Sequence, residues 1–256
     1  ATSPGLTGLD DKGFFFRTAP SDARGGQILA DITKDRKIKS VAITYTNNDY
    51  GKGLADVYEA AVKAHGIKVT TVAAHEDGKA DYTAEVSTLA SAGGDAIAVI
   101  GYLDQGGKGI IQGSLDSGAF DAFILSDGMI GDSLTDAFGK NLNKSFGSLP
   151  GSTGKGAGVF AKVAKDGGID SSGPYTGESY DAAALLILAM QAGGSADRAS
   201  IAKNVMSVAN GPGKKIYPGE LKKALDLLSN GKAIDYEGAT GVSFTDVGEA
   251  FGSFLE

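Results

Sequence analysis

The chain has 256 residues, enough for one or two domains with a sizeable core, and its 42% hydrophobic and 21% charged content is that of a folded globular protein. A net charge of −7 argues against a nucleic-acid binder, which needs a basic face, and the absence of cysteine removes disulfides, thiolate metal sites and a cysteine nucleophile. His65 and His75 are its two histidines, so histidine-based metal or triad chemistry has little to draw on.

The first 150 residues alternate helix and strand. Residues 21–34 read as a helix with Ser21 as N-cap and Leu29 and Ile32 on one face, followed by an apolar strand over 38–44. Residues 53–65 place Leu54, Val57, Ala61 and Ala64 at helical spacing, and Gly66 stops the run. A β-branched strand over 67–73, a helix over 82–92 and a wholly apolar strand over 96–100 come next. A helix over 107–117, strand 122–125, helix 132–142 and strand 144–149 complete this half. Short apolar strands separated by helices predict βαβ units around a buried parallel sheet with right-handed crossovers.

The second half changes character. Residues 155–165, 177–192, 198–209 and 220–228 read as helices, and strands are expected only at 242–245 and 250–255. The longest apolar run, residues 182–190, falls well short of the ~18 residues of a membrane span. It is apolar nearly all round and is expected to be buried. No strand in this half supplies a sheet large enough to cover it, so the expected cover is strands outside the 256 residues or another chain. The Gly- and Ser-rich stretch 149–158 reads as an inter-domain crossing.

Several chemical motifs fail on inspection. Gly154-Lys155 lacks both the preceding Gly and the following Ser or Thr of a phosphate loop. Residues 101–109 lie between a strand and a helix but lack the Gly-x-Gly-x-x-Gly order of a dinucleotide site. No Gly-x-Ser-x-Gly elbow occurs. His65 reads as a solvated or capping residue and His75 as a loop residue. With no base, nucleophile or metal cluster in view, an enzyme is the weaker class, and no cofactor or metal is expected.

A set of short strings occurs in a telling order: Ala1-Thr2-Ser3-Pro4 with Leu6-Thr7, then Phe16-Arg17-Thr18-Ala19-Pro20-Ser21-Asp22. Asn48-Asp49-Tyr50-Gly51-Lys52-Gly53, Gly101-Tyr102, Ser126-Asp127-Gly128 and Tyr180-Asp181-Ala182-Ala183 follow. Over essentially the whole chain they resemble the periplasmic branched-chain amino-acid (Leu/Ile/Val-type) binding proteins, the type I solute receptors of ABC importers. The resemblance implies an α/β fold of two doubly wound parallel-sheet lobes, with a ligand held between lobes that close by a hinge. It assigns residues 1–18 and 151–248 to the remainder of lobe I, and residues 19–150 and 249–256 to lobe II. Family members carry about a hundred further residues, a domain's worth, ahead of the Ala-Thr-Ser-Pro string. The physiological protein is therefore expected to be longer and the first lobe incomplete here. The sequence opens on Ala1 without Met or a signal-peptide pattern, and reads as a processed or partial chain, soluble as it stands.

Open parallel sheets bind ligands outside the carboxyl ends of their strands, where Tyr50, Tyr102 and Asp127 fall. By resemblance Asp127 takes the ligand ammonium, since a charged acceptor is about twice as strong as a neutral one. The alternative for it is an ordinary Asp-Gly turn. Thr2 would offer its hydroxyl, and Ala1 its backbone N–H, to the ligand carboxylate; a frayed start is the alternative. Tyr50 and Tyr102 would close over the ligand, each with an apolar face and a polar tip. Tyr175 resembles the aromatic wall of the side-chain pocket. Glu178, near it, departs from the apolar residues expected there, and either meets a more polar ligand or faces solvent. Asp181 reads as a charge complementing the dipole at the start of a buried helix.

The expected function is an extracytoplasmic receptor, periplasmic or at the cell surface. It would bind a small amino acid, aliphatic first, and deliver it to an ABC importer permease. It is expected to act as a monomer, without nucleic acid or direct membrane insertion. The alternative is a ligand-sensing domain of a regulator or receptor for an amide, a small organic acid or an aromatic acid.

Overall fold

The computed structural model describes residues 1–256. The chain divides into two compact units. One comprises Thr2–Gly5, Asp22–Leu149 and Glu256, and is called here the sheet unit. The other comprises Ala1, Leu6–Ser21 and Pro150–Leu255, and is called the helical unit.

In the sheet unit, helices and strands alternate as α1 (Asp22–Asp35), β1 (Ser40–Thr46), α2 (Asp49–Ala64), β2 (Lys68–His75), α3 (Thr83–Ala92) and β3 (Ala96–Ile100). They continue as α4 (Lys108–Ser117), β4 (Phe123–Leu125), α5 (Asp132–Phe138) and β5 (Phe146–Gly147). The strands form one sheet in the order β2-β1-β3-β4-β5, and every pairing is parallel. Ile43 of β1, for example, lies between Val72 and Ala98.

The two-residue period of the strands sorts their side chains onto two faces. Ile43, Ala98 and Ile124 pack with Leu29 of α1 and with Leu54 and Tyr58 of α2. Ala42, Ile97, Val99 and Phe123 pack on the other face with Leu89 of α3 and with Ile110 and Ile111 of α4. Burial on both faces is why β3 reads Ala-Ile-Ala-Val-Ile with no polar alternation.

Three local expectations shift here. Helix α2 starts at Asp49, not Gly53, because Asn48 caps it: its side chain accepts from the N–H of Gly51 at 2.9 Å. Helix α5 stops at Phe138, where Gly139 takes φ +48°, and continues only as a 3-10 turn, Gly139–Leu142. The single strand expected over 144–149 is two: β5 joins the large sheet, whereas β6 (Leu149–Pro150) pairs with a late strand, β9 (Phe254–Leu255).

The helical unit carries α6 (Lys155–Asp166), α7 (Thr176–Gly193), α8 (Arg198–Ala209), β7 (Lys214–Ile216), α9 (Leu221–Ser229) and β8 (Ile234–Tyr236). Leu185 and Leu188 of α7, Val205 and Val208 of α8, Ile216, Ile234, Tyr236 and Phe244 form its main core. The parallel pair β7–β8 was not expected from the sequence, since Lys-Lys-Ile and Ile-Asp-Tyr are too short and too charged to read as strands. The expected strand 242–245 is instead an isolated bridge, Phe244 to Ala250, and of 250–255 only Phe254–Leu255 is a strand. Left-handed glycines at 248 and 252 break the extended run. Helix α7 is not buried all round: Leu185, Leu188 and Ala189 are inside, while Leu186 and Ile187 are 48% and 44% exposed. No helix of the chain is long and apolar enough to cross a membrane.

Candidate functional site

Strand order in the sheet unit reverses at β1, which has β2 on one side and β3 on the other. The carboxyl ends of β1 and β3 therefore diverge into connections that leave in opposite directions, the place where open α/β sheets take ligands. Tyr50 sits in the first turn of α2, after β1. Tyr102 follows β3 and enters a π-helical turn, Leu103–Gly107. Asp127 follows β4 and opens a 3-10 turn.

The fold brings these three side chains together. The rings of Tyr50 and Tyr102 stack with centroids 5.2 Å apart and planes 28° from parallel. The Tyr50 hydroxyl donates to Oδ1 of Asp127 at 2.8 Å and lies 3.1 Å from Oγ of Ser126. Ser126, itself buried, accepts from the N–H of Gly101. Gly128 is more than a turn residue beside the aspartate. A Cβ there would lie 2.4 Å from the Gly101 carbonyl oxygen and 3.1 Å from the Tyr50 hydroxyl.

Burial, followed by the charge of Asp127, pushes the Tyr50 hydroxyl well above its ordinary value, so it stays protonated and acts as a donor. The Tyr102 hydroxyl is also raised, chiefly by burial. The arrangement thus presents an oriented carboxylate beside an aromatic surface, which can hold a cationic group.

Thr2 belongs to the same unit, and its carbonyl accepts from the N–H of Asp22 at 2.9 Å. Asp22 is buried at the start of α1, and its charge bears on both Tyr50 and Tyr102. Sequence reasoning gave it no role. The available signal was an acidic residue at a helix start within the Phe16–Asp22 string.

Ala1 and Tyr175 lie in the helical unit, where both line a cavity of about 560 Å³. Its wall is largely apolar, with Phe14, Phe16, Leu185 and Phe244 among its members. Arg17 reaches toward the Ala1 carbonyl, 3.5 Å away, and is buried in an ion pair with Glu249. Tyr175 adopts φ +62°, a left-handed conformation that costs a non-glycine residue on the order of 1–2 kcal/mol. Glu178, in the first turn of α7, does not face solvent: it is 6% exposed and lines the same cavity. Burial, then the charge of Asp181, holds its carboxyl above the ordinary range.

Two other expectations change. Asp181 is not at the helix start but in the second turn of α7, fully buried. Its carboxylate accepts from the Tyr236 hydroxyl, the Ala239 and Thr240 N–H groups and the Thr240 hydroxyl at 2.7–2.9 Å, fastening α7 to the segment after β8. His75 is not a loop residue but the last residue of β2, 1% exposed, with Nδ1 2.9 Å from Oγ1 of Thr44. His65, at the C-cap of α2, reaches Asp31 at 2.7 Å.

A family model described as periplasmic binding protein matches residues 1–216. Leu/Ile/Val-binding protein homolog 3 of Brucella melitensis is 34% identical over 128 residues, covering 49% of this chain and 33% of that protein. The chemotactic signal transduction system substrate-binding protein BasB of Halobacterium salinarum is 28% identical over 239 residues, covering 91% of this chain and 55% of that protein. The crystal structure of the leucine-binding protein LivK of Thermotoga maritima superposes with a TM-score of 0.76 at 22% identity, over 99% of this chain and 66% of that one. The chain thus spans between a third and two thirds of the length of these proteins. Over the length that matches, the chain belongs to the periplasmic binding protein family.

Proposed function

We propose that the chain is part of an extracytoplasmic solute receptor, periplasmic or at the cell surface, that binds a small amino acid and delivers it to an ABC importer. It is a carrier and not an enzyme, and it acts as a monomer. The observation that carries this reading is the Tyr50–Asp127 hydrogen bond beside the stacked tyrosines, at the reversal of strand order. Asp127 is the acceptor for the ligand ammonium, oriented by Tyr50. Tyr50 and Tyr102 cover the ligand's apolar surface, and the Thr2 hydroxyl takes its carboxylate. Ala1 contributes its main chain and Tyr175 an aromatic wall. The relatives named as Leu/Ile/Val-binding and leucine-binding support an amino acid as the ligand class.

A native mass spectrum of the purified protein, with collisional release of bound molecules, tests this. Release of a compound of amino-acid mass is the expected result. Release of a non-amino-acid, with no uptake from an amino-acid mixture, contradicts it.

A second reading is favoured by the likeness to BasB, whose name places it in chemotactic signal transduction. In that reading the same site serves a sensor rather than an importer. The importer reading predicts ligand-dependent binding to a permease, and the sensor reading ligand-dependent binding to a transducer.

A further inference from the structure

The cavity of the helical unit is lined by a buried carboxyl group, that of Glu178, which no other side chain pairs; the donor that bears on it is its own backbone N–H. Glu178 is 6% exposed, and neither a side-chain donor nor a salt bridge reaches its carboxylate. Its backbone carbonyl accepts from the Thr18 hydroxyl at 2.8 Å, which holds the first turn of α7. The cations in the cavity wall are committed elsewhere. Arg17 is paired with Glu249, and the Arg198 guanidinium lies over the Phe14 ring, 5.6 Å from its centroid. Asp181 is the charged neighbour that bears on Glu178, and it repels.

A buried carboxyl in an apolar wall is costly unless something donates to it. The rest of the wall offers aromatic and aliphatic surface, which suits the stem of a ligand but not Glu178 itself. Tyr175, held in its left-handed conformation three residues earlier, lines the same cavity.

We propose that Glu178 is a specificity residue that receives a nitrogen donor, a primary amide or an ammonium, at the far end of the ligand side chain. The inference deepens the amino-acid receptor reading and rests on it. It replaces an aliphatic ligand by one with an apolar stem and an N–H-bearing tip. Because burial raises the Glu178 carboxyl, the group can meet either tip: a neutral acid pairs with an amide, an ionised one with an ammonium.

Calorimetric titration of the purified protein with leucine, glutamine and lysine tests it, repeated on Glu178→Leu and Glu178→Gln, with a melting curve for each variant. Lysine is expected to bind about 10-fold or more tighter than leucine, the worth of one hydrogen bond to a charged group, or glutamine about 3- to 10-fold tighter, the worth of one between neutral groups. Glu178→Leu should erase or invert that order. Glu178→Gln separates the tips: it retains glutamine and loses lysine. If leucine binds tightest and Glu178→Gln, which conserves shape, leaves all three affinities within about 2-fold, the inference fails while the receptor reading stands. If the folded protein binds no amino acid at all, the receptor reading fails and takes the inference with it.

Discussion

The hydroxyl of Tyr50 donates to Oδ1 of Asp127 across 2.8 Å, joining the segment after β1 to the segment after β4 on either side of β3. The bond does two things at once. It orients the carboxylate, and it couples that orientation to the ring that stacks on Tyr102. A site built this way loses geometry, not only contact, when one member changes.

Tyr50→Phe keeps the stack and removes the donor. Affinity for the ligand should fall by about 3- to 10-fold, as expected for one oriented hydrogen bond of about 1 kcal/mol. Tyr102→Leu should cost a similar amount by removing stacked surface while leaving the Tyr50–Asp127 bond in place. Titration of the two variants checks this, and a double variant should lose less than the sum if the rings act as a unit.

Asp181 has a purely structural role with a measurable size. Replacing it by Ala strands four donors that now converge on one buried carboxylate. A loss of about 3–5 kcal/mol in unfolding free energy is expected, with Asp181→Asn intermediate. Urea denaturation gives the number.

The acid limb of stability should carry a contribution from His75. Burial holds its imidazole below the ordinary value, against the opposing charges of Asp77, Glu85 and Glu76, and its Nε2 is buried without a hydrogen-bond partner. The folded state therefore takes up the proton less readily than the unfolded state. Stability from this group is full above the unfolded pKa of about 6.5 and is lost as pH falls below it toward the folded value. Glu178 and Asp181, whose carboxyls are raised, act in the opposite sense, losing stability as pH rises through their folded values. Comparing urea midpoints at pH 7.5 and 5.5 for the wild type and His75→Gln isolates the histidine. The wild type should lose more stability on acidification than the variant, and equal losses would remove His75 from the account.

The sheet unit was legible because its strands are buried on both faces and its helices are amphipathic: β3 runs from Ala96 to Ile100, as its unbroken apolar run predicts. Tyr50, Tyr102 and Asp127 were legible from their position after strands, and the fold gathers them. What the sequence hid were features set by tertiary partners. His75 looks like a loop residue because nothing local says that Thr44 will bond it from the neighbouring strand. The pair β7–β8 is three residues on each side and carries charge, so it has no pattern of its own. Asp181 reads as a dipole partner until the loop that follows β8 folds over it. Glu178 could be read as solvent-facing or ligand-facing, and only its burial in the cavity decides against solvent.

The central claim is that Asp127 holds the ligand ammonium. Its most direct test is calorimetric titration of the purified wild type and of Asp127→Ala with the amino acid that binds the wild type best. A loss of about 10-fold or more in affinity is expected, since a hydrogen bond to a charged group contributes roughly 1.5–3 kcal/mol. Equal affinity in the folded variant would contradict it and move the ammonium site elsewhere.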